Sequence, residues 1–415
     1  MSGEHGYVAE DTLERLCYSL FSADLVLRSP TLLEESGAKE LTDILVLIDD
    51  TAVIIQSKSM QIDLSEIDEV IIGRIINRQN KAKKQINTTL NAHRHKTKVR
   101  AQTPLDIAFE LDWSAIKTRI GIITLNIPDN KYKDPEYRFQ YPGLVEEHKG
   151  IIVHTFLIND LKQLVKELTT PADTLLYLKA RYECIQSGRF VIGNELDFLA
   201  FYKTQYHTLR EVLDAEKYSG CFLTPGLWEQ YRDSRKNEIH ERQKWFMNSI
   251  PYDRLIHELV TGVEHSVKLH SYTHQESALN YMKLVGKLNK LTRMERAEIG
   301  GKLLEKFDKT KNSKWGYFIY INTASKIAYL FLILNEDDRE KRQKFLHYLS
   351  EQACHKISDA TQLVGLATNG AAHKDHSIDS LVIENMAEIR GSVELDEELT
   401  MFKSAEYKSI NEWRS

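Results

Sequence analysis

The sequence predicts an α/β fold in which a mixed sheet is flanked by helices and is followed by a mainly helical C-terminal region. Three observations lead to this prediction. The chain begins with an amphipathic helical pattern, apolar runs rich in β-branched residues recur up to about residue 156, and strand signals fade beyond residue 157. The order helix, strands, helix, strands is typical of an α/β sandwich built around one sheet.

The first predicted elements are a helix and a β-hairpin. Residues 9–22 carry apolar side chains at i, i+3, i+4 and i+7, which gives a helix one buried face; these are Leu13, Leu16, Cys17 and Leu20. Two apolar runs at 41–48 and 51–56 follow, separated by Asp49 and Asp50. Their length, their β-branched content and the polar turn predict two adjacent strands that pair as a hairpin.

The next elements complete the sheet and then change to helices. Residues 65–95 have a helical pattern, and strands are predicted at 120–125 and 150–156. Further helices are predicted at 158–168, 171–185, 195–215, 251–269, 274–290, 292–308 and 336–366. The apolar runs 315–322 and 327–334 fit either this helical region or a second small set of strands. We therefore expect three parts, at residues 1–160, 161–215 and 216–415.

The composition is that of a multi-domain globular protein. The chain has 415 residues, of which 28% are charged and 42% hydrophobic, and a single core rarely grows past about 300 residues. No apolar run is long enough to cross a membrane, and the start lacks a secretion-signal pattern, so a cytoplasmic protein is expected. The four cysteines are far apart and form no CxxC pair, which indicates neither a disulfide framework nor a thiolate zinc site.

One segment is strongly basic, although the net charge of the whole chain is slightly negative. The net charge is -5, yet residues 74–100 hold nine Lys or Arg and no Asp or Glu, so the remainder sums to -14. A basic run of this kind is commonly a solvated helix face. It also supplies the phosphate contacts of many nucleic-acid-binding proteins.

The hairpin brings together three side chains suited to phosphodiester chemistry. Gln56 and Lys58 share one face of their strand, because successive side chains alternate, and Asp43 lies on the neighbouring strand. Mg²⁺ prefers oxygen ligands such as carboxylate and amide oxygens. A nearby lysine can orient the attacking water and offset developing negative charge. The pattern therefore predicts a metal-dependent hydrolytic site.

These residues resemble the PD-(D/E)XK nucleases, and in particular a bacterial subgroup whose strands read approximately GKELxDLLVxFGxxVxIxSxK. The matching stretches here are 38–47, AKELTDILVL, and 53–58, VIIQSK. The resemblance covers roughly residues 9–205, since 167–181 and 193–202 are also similar. Two departures stand out, because Gln56 replaces the usual acidic residue and no Pro precedes Asp43.

The resemblance implies a restriction-endonuclease-like fold and a Mg²⁺- or Mn²⁺-dependent endonuclease. Lys58, Asp43 and Gln56 would be catalytic, and Glu10 would be the acidic ligand on the first helix, with Glu14 one turn later as its alternative. The metal would be held by Asp43, Gln56 and Glu10. In this family the helix after the lysine strand flanks the active site. That position implies nucleic-acid contacts, which would come from Arg78, Lys81, Lys84, Gln85 and Arg94.

The activity implied by the resemblance is hydrolysis of DNA, in defence against phage or plasmid DNA. The alternative is a catalytically silent nuclease-fold subunit that binds or senses DNA within a multi-protein defence assembly. A purely structural scaffold is the third reading and predicts neither cleavage nor binding. We expect the helical C-terminal region to select a partner protein, a second copy of the chain or the substrate. The sequence leaves open whether that substrate is DNA or RNA.

Overall fold

The computed structural model describes residues 2–34, 37–60, 68–94, 98–102, 108–127, 145–191, 194–214, 221–223, 225–269, 274–311, 313–336, 338–370 and 377–392. The chain divides into two compact units. Unit 1 comprises residues 1–239 and 273–286, and unit 2 comprises residues 240–272 and 287–415. The aromatic and charged segment 132–143, whose sequence is typical of a loop, lies outside the described residues.

A mixed six-stranded sheet forms the centre of unit 1, as the sequence predicts. Its strands are β1 (Val26–Arg28), β4 (Ile44–Ile48), β5 (Thr51–Ser59), β8 (Thr118–Asn126), β9 (Val145–His148) and β10 (Ile151–Leu157), in the order β1-β4-β5-β8-β10-β9. The predicted hairpin is confirmed, because β4 and β5 pair antiparallel with Ile48 opposite Thr51. Asp49 takes a left-handed conformation in the turn, with φ of 54°, which Asp tolerates better than most residues. Strand β5 then pairs parallel with β8, so the sheet is mixed.

Two helical layers cover this sheet. Helix α1 (Ser2–Phe21) contains the predicted apolar stripe, and helix α2 (Asp68–Arg94) is the predicted basic helix. Helices α3 (Ile158–Glu167), α4 (Pro171–Gln186), α5 (Glu195–Thr204) and α6 (Tyr206–Asp214) follow. Helix α1 packs against α3 and α4. The helices predicted at 158–168 and 171–185 are confirmed nearly to the residue, and the one at 195–215 is divided between α5 and α6.

Gly121 identifies the face of the sheet that α2 covers. A Cβ atom at this position would lie 3.1 Å from Val153 Cγ2 and 3.3 Å from Ile86 Cδ1 of α2. Gly121 therefore lets the helix approach the sheet closely. Ile54 is the register partner of Gly121, and side chains alternate along a strand, so Ile54, Gln56 and Lys58 share the α2 face. His154, next to Val153, points to the opposite layer.

That opposite layer is fixed by a buried ion pair. Arg181 of α4 is fully buried and binds Glu195 of α5 through both carboxylate oxygens, with a shortest distance of 2.7 Å. The same guanidinium donates to Thr155 O at 3.2 Å and lies 3.3 Å from His154 Nδ1. Tyr177 OH donates to Glu195 as well. The pair joins the two later segments that carry the family resemblance.

Three features of unit 1 differ from the prediction. Strand β4 begins at Ile44 and not at Leu41. A second, antiparallel sheet in the order β3-β2-β6-β7 was not predicted, because its strands are only four or five residues long and lack a long apolar run. They are β2 (Thr31–Glu34), β3 (Gly37–Glu40), β6 (Lys98–Gln102) and β7 (Ala108–Asp112). A two-stranded parallel pair was also missed, formed by β11 (Phe190–Val191) and β12 (Cys221–Phe222).

The later chain contributes four long helices, which are α7 (Leu227–Met247), α8 (Ile250–Leu269), α9 (His274–Leu288) and α10 (Arg293–Thr310). Helix α7 was not predicted, because its mostly charged sequence shows no clear apolar stripe. Helix α10 begins with a capping box, in which Thr292 and Glu295 satisfy each other's backbone amides. The other three match helices expected from the sequence to within a few residues.

Unit 2 contains a four-stranded sheet in the order β13-β14-β15-β16, so the strand reading of 315–334 is the one observed. The strands are β13 (Trp315–Asn322), β14 (Ile327–Leu334), β15 (Gln362–Asn369) and β16 (Ile378–Ile383), with α11 (Arg339–Lys356) and α12 (Met386–Ser392) beside them. The single helix predicted at 336–366 was wrong beyond residue 356, because Leu363 to Ala367 pair with β14 in the buried core. None of the described helices has the length and apolar character that crossing a membrane requires.

Candidate functional site

The predicted residues Asp43, Gln56 and Lys58 meet at the end of the β4-β5 hairpin. Ser57 N donates to Asp43 Oδ2 at 2.7 Å, so the carboxylate reaches across to the middle of the Gln56-Ser57-Lys58 stretch. Lys58 Nζ lies 3.3 Å from Gln56 Oε1 and donates to Ser57 O at 2.8 Å. A carboxylate, an amide oxygen and an ammonium therefore share one small volume, as the register of the hairpin predicts.

Just before β4 begins, hydrogen bonds from side chains take the place of backbone hydrogen bonds to β5. Thr42 Oγ1 donates to Ile55 O at 3.0 Å, and Asp43 accepts from Ser57 N. Ile55 already has a register partner in β4, Ile44, whereas Ser57 N is a backbone group that a longer β4 would otherwise pair. Because the Asp43 side chain satisfies Ser57 N, the strand begins only at Ile44, and Thr42 and Asp43 bend out of the ladder. The late start of β4 and the placement of Asp43 have the same cause.

The site is largely removed from water. Gln56 is 1% exposed and Thr42 is 2% exposed, whereas Asp43 and Lys58 are half-buried. Burial raises the pKa of the Asp43 carboxyl, and the nearby Glu40 carboxylate raises it further. The Lys58 ammonium and the Ser57 N–H act in the opposite direction and lower the pKa without cancelling the effect of burial. A carboxylate in this position gains from an added cation.

The donor set fits a hydrated hard cation. Mg²⁺ usually keeps several waters and binds through one or two carboxylates, and Asp43 and Gln56 offer one half-buried carboxylate and one amide oxygen. Glu40 lies close enough to Asp43 to affect its pKa. Within the described part of the chain, no group of three His, Cys, Asp or Glu side chains is arranged to hold a metal ion.

Helix α1 lies in the layer that packs on the sheet face opposite Gln56 and Lys58. Glu14 is held there by Tyr18 OH and by Arg28 Nη1, the latter at 2.8 Å. Arg28 is the register partner of Ile44 and therefore also points to that opposite face. Glu14 thus has a structural ion pair, and the structure does not bring it to Lys58. The backbone of Glu10 belongs to α1, and its side chain lies outside the described residues.

The basic helix α2 lies beside the site. Thr89 Oγ1 donates to Leu41 O at 2.7 Å, which joins the helix to the chain two residues before Asp43. At 100° per residue, the exposed Arg74, Arg78, Lys81 and Lys84 span an arc of about 120° and a length of about 15 Å. Lys83 is mostly buried and binds Glu146 at 2.5 Å. Arg94 ends the helix, and its side chain lies outside the described residues.

Gln85 lies at the border between the exposed basic arc and the buried face of α2. Its Oε1 atom is buried and accepts no hydrogen bond from another described residue. A buried carbonyl oxygen without a donor costs free energy. Such exceptions are uncommon in folded proteins, and a buried polar group of this kind is a candidate for a functional role. Among the four predicted nucleic-acid contacts whose side chains the structure describes, Gln85 is the one whose surroundings set it apart from an ordinary surface residue.

Sequence reasoning missed three residues of this region. Thr42 and Thr89 organise the strand end, and Glu40 adds a second negative charge near Asp43. The sequence held one signal for Thr42 and Glu40, namely their position within three residues of Asp43 in the motif stretch. No sequence signal indicated Thr89, because its contact with Leu41 spans 48 positions. No match to this chain was found among family models, curated proteins or solved structures.

Proposed function

We propose that unit 1 is a divalent-metal-dependent phosphodiesterase that cleaves nucleic acid, with DNA as its substrate. The observation that carries the proposal is the convergence of Asp43, Gln56 and Lys58 on one buried strand end beside a basic helix. The resemblance to PD-(D/E)XK nucleases points in the same direction. Its implied role, defence against phage or plasmid DNA, belongs to the proposal as well.

Each residue has a distinct role in this proposal. A bound Mg²⁺ or Mn²⁺ would supply Lewis acidity and lower the pKa of water. Asp43 and Gln56 would hold it through one carboxylate oxygen and one amide oxygen. Lys58 Nζ, held 2.8 Å from Ser57 O, would orient the attacking water and offset the negative charge that develops on the phosphate.

The α2 helix would bind the substrate backbone. Arg78, Lys81 and Lys84 are exposed on α2, the helix that covers the sheet face carrying Gln56 and Lys58. Contacts from Lys and Arg to phosphates give affinity without sequence choice and release counterions, so binding should weaken as salt rises. Gln85 stands between these cations and the buried face and would contact the substrate or an ordered water.

A second function is supported by a different observation. Asp43 is the half-buried carboxylate that reaches the strand end, and Gln56 lacks the negative charge of an acidic ligand. A site with this low charge suits a catalytically silent subunit that binds or senses DNA. Such a subunit would bind nucleic acid with or without Mg²⁺ and would cleave none.

Incubation of the purified chain with plasmid, single-stranded DNA and RNA tests the two functions. We expect cleavage of DNA that requires Mg²⁺ or Mn²⁺ and stops when a chelator is added. Binding of DNA without any cleavage would favour the silent subunit, and cleavage of RNA alone would change the proposed substrate. If the chain neither binds nor cleaves any of these substrates, only the third hypothesis, a purely structural scaffold, remains.

A charge-reversal triple variant tests the role of α2. Replacing Arg78, Lys81 and Lys84 by Glu should weaken DNA binding and flatten the slope of log K against log salt by about one unit per lost contact. The matched control replaces three exposed lysines on the opposite helical layer, which are Lys162, Lys166 and Lys179. Equal effects of both triple variants would indicate a general charge effect and remove α2 from the binding surface.

A further inference from the structure

The buried hydroxyl of Thr42 lies between the backbone of β5 and the side chain of Gln56. Its Oγ1 donates to Ile55 O at 3.0 Å and accepts from Gln56 Nε2, also at 3.0 Å. A threonine hydroxyl has one proton and two lone pairs. Since the proton is committed to Ile55 O, the group offers only an acceptor to Gln56.

Because the Thr42 hydroxyl offers only an acceptor, it determines which end of the Gln56 amide faces Thr42. The NH₂ end can donate to the hydroxyl, whereas the carbonyl oxygen would meet another acceptor. Lys58 imposes the same choice at the other end of the amide, because its ammonium carries only donors and lies 3.3 Å from Gln56 Oε1. A flipped amide would therefore place a donor against a donor and an acceptor against an acceptor.

We infer that Thr42 is a positioning residue that holds the Gln56 amide with its carbonyl oxygen directed to Lys58 and the volume beside Asp43. Water cannot easily substitute for this contact, because Thr42 and Gln56 are 2% and 1% exposed. The inference rests on the proposed function where it assigns that oxygen to a metal. The orientation itself can be measured without any activity.

The inference also explains how the site accommodates an amide in place of a carboxylate. The carboxylate of a glutamate has two equivalent oxygens, so it presents an oxygen to Lys58 in either orientation. A glutamine presents an oxygen only when its amide is held in one of its two orientations. The orienting contact from Thr42 is thus needed when residue 56 is Gln and dispensable when it is Glu. Replacement of Thr42 should therefore have a large effect on the site with Gln at position 56 and a small effect with Glu.

The first test reads the orientation directly. In ¹⁵N-labelled protein, the Gln56 side-chain amide signal is identified by its loss in Gln56→Glu. We expect a downfield amide proton with slow hydrogen exchange in the wild type and in Thr42→Ser, which keeps the hydroxyl. Thr42→Val should lose both properties. A Gln56 signal that is the same in the wild type and in Thr42→Val would overturn the inference.

The second test separates positioning from a merely structural role. Loss of an outer-shell partner typically lowers metal affinity or activity by about 10- to 100-fold. Thr42→Val should lower Mn²⁺ affinity and DNA cleavage by that factor in the wild-type background, and by a factor near one in the Gln56→Glu background. A structural role predicts the same loss in both backgrounds, because the hydrogen bond from the Thr42 hydroxyl to Ile55 O is lost in each.

The two tests keep the inference distinct from the proposed function. If the Gln56 signal responds to Thr42→Val and not to Thr42→Ser, the orientation stands even when no variant cuts DNA, and then only the proposed function fails. If cleavage and Mn²⁺ binding are present and Thr42→Val lowers them equally in both backgrounds, the proposed function stands and the inference is overturned.

Discussion

Replacement of Lys58 by Met tests the assignment of the ammonium most sharply. Methionine has a similar length and no charge, so it fills the strand position and removes only the proton donor. Lys58 Nζ donates to Ser57 O at 2.8 Å and lies 3.3 Å from Gln56 Oε1. A donor that stabilises charge developing in the transition state contributes about 10²- to 10³-fold to kcat. Cleavage by Lys58→Met should fall by at least that factor.

The stability change should be much smaller. Loss of the two contacts costs about 1 kcal/mol each, and relief from burying part of an ammonium group offsets some of that cost. A domain with about 5 kcal/mol of stability that loses 2 kcal/mol remains more than about 99% folded. A hundredfold loss of activity therefore cannot arise from unfolding. Single-turnover cleavage beside urea unfolding separates the two effects.

The matched control is Lys117→Met, which removes an exposed ammonium near the opposite end of the β5-β8 pair. Lys117 Nζ lies 3.7 Å from Asp50 and its side chain is 78% exposed. Its replacement should leave cleavage within about twofold, since exposed pairs contribute little. Lys58→Met should also move metal binding to higher pH, because the ammonium lowers the pKa of Asp43. Wild-type cleavage by Lys58→Met would refute the assignment.

Three further predictions follow from the same structure. Asp43→Asn should abolish Mg²⁺ binding without lowering the free energy of unfolding, because burial raises the pKa of that carboxyl and the amide can still accept from the backbone; parallel losses of stability and binding would contradict this. Gly121→Ala should destabilise unit 1 by about 1–3 kcal/mol, because its Cβ would lie 3.1 Å from Val153 Cγ2, and an unchanged urea midpoint would contradict it. His154 should make the protein acid-sensitive: burial and the Arg181 charge hold its pKa well below the ordinary 6.5, so the unfolded chain takes up the proton first as pH falls. Stability should then decrease below pH 6.5 by up to about 1.4 kcal/mol per pH unit, and the His154→Gln variant should show a shallower decrease in urea titrations at a series of pH values.

The hairpin and its register could be predicted because they depend on local pattern. Two β-branched runs around a two-residue acidic turn leave few alternative pairings, and strand alternation then places Gln56 and Lys58 together. The basic helix was equally visible, because a long charged helix with an apolar stripe requires no tertiary information. These local signals identified the three residues of the strand end.

Features that depend on distant contacts could not be predicted. The strand containing residues 362–369 has an apolar pattern that also fits a helix, and only its pairing with β14 decides the outcome. Thr42 acts through a bond to Gln56 that spans 14 positions. Glu14 fitted the expected spacing of an acidic ligand, yet Arg28, which holds it, lies in another element. Side-chain direction and ion-pair choice arise from packing, which pattern alone does not encode.

The central claim is that the Gln56 amide oxygen belongs to a working metal site together with Asp43. Calorimetric titration of Mg²⁺ into the wild type, Gln56→Glu and Gln56→Ala tests it most directly. We expect Gln56→Glu to bind Mg²⁺ most tightly because it adds a carboxylate, the wild type to bind next most tightly, and Gln56→Ala to bind most weakly. Equal Mg²⁺ affinity of the wild type and Gln56→Ala, or the absence of binding by Gln56→Glu, would contradict the claim.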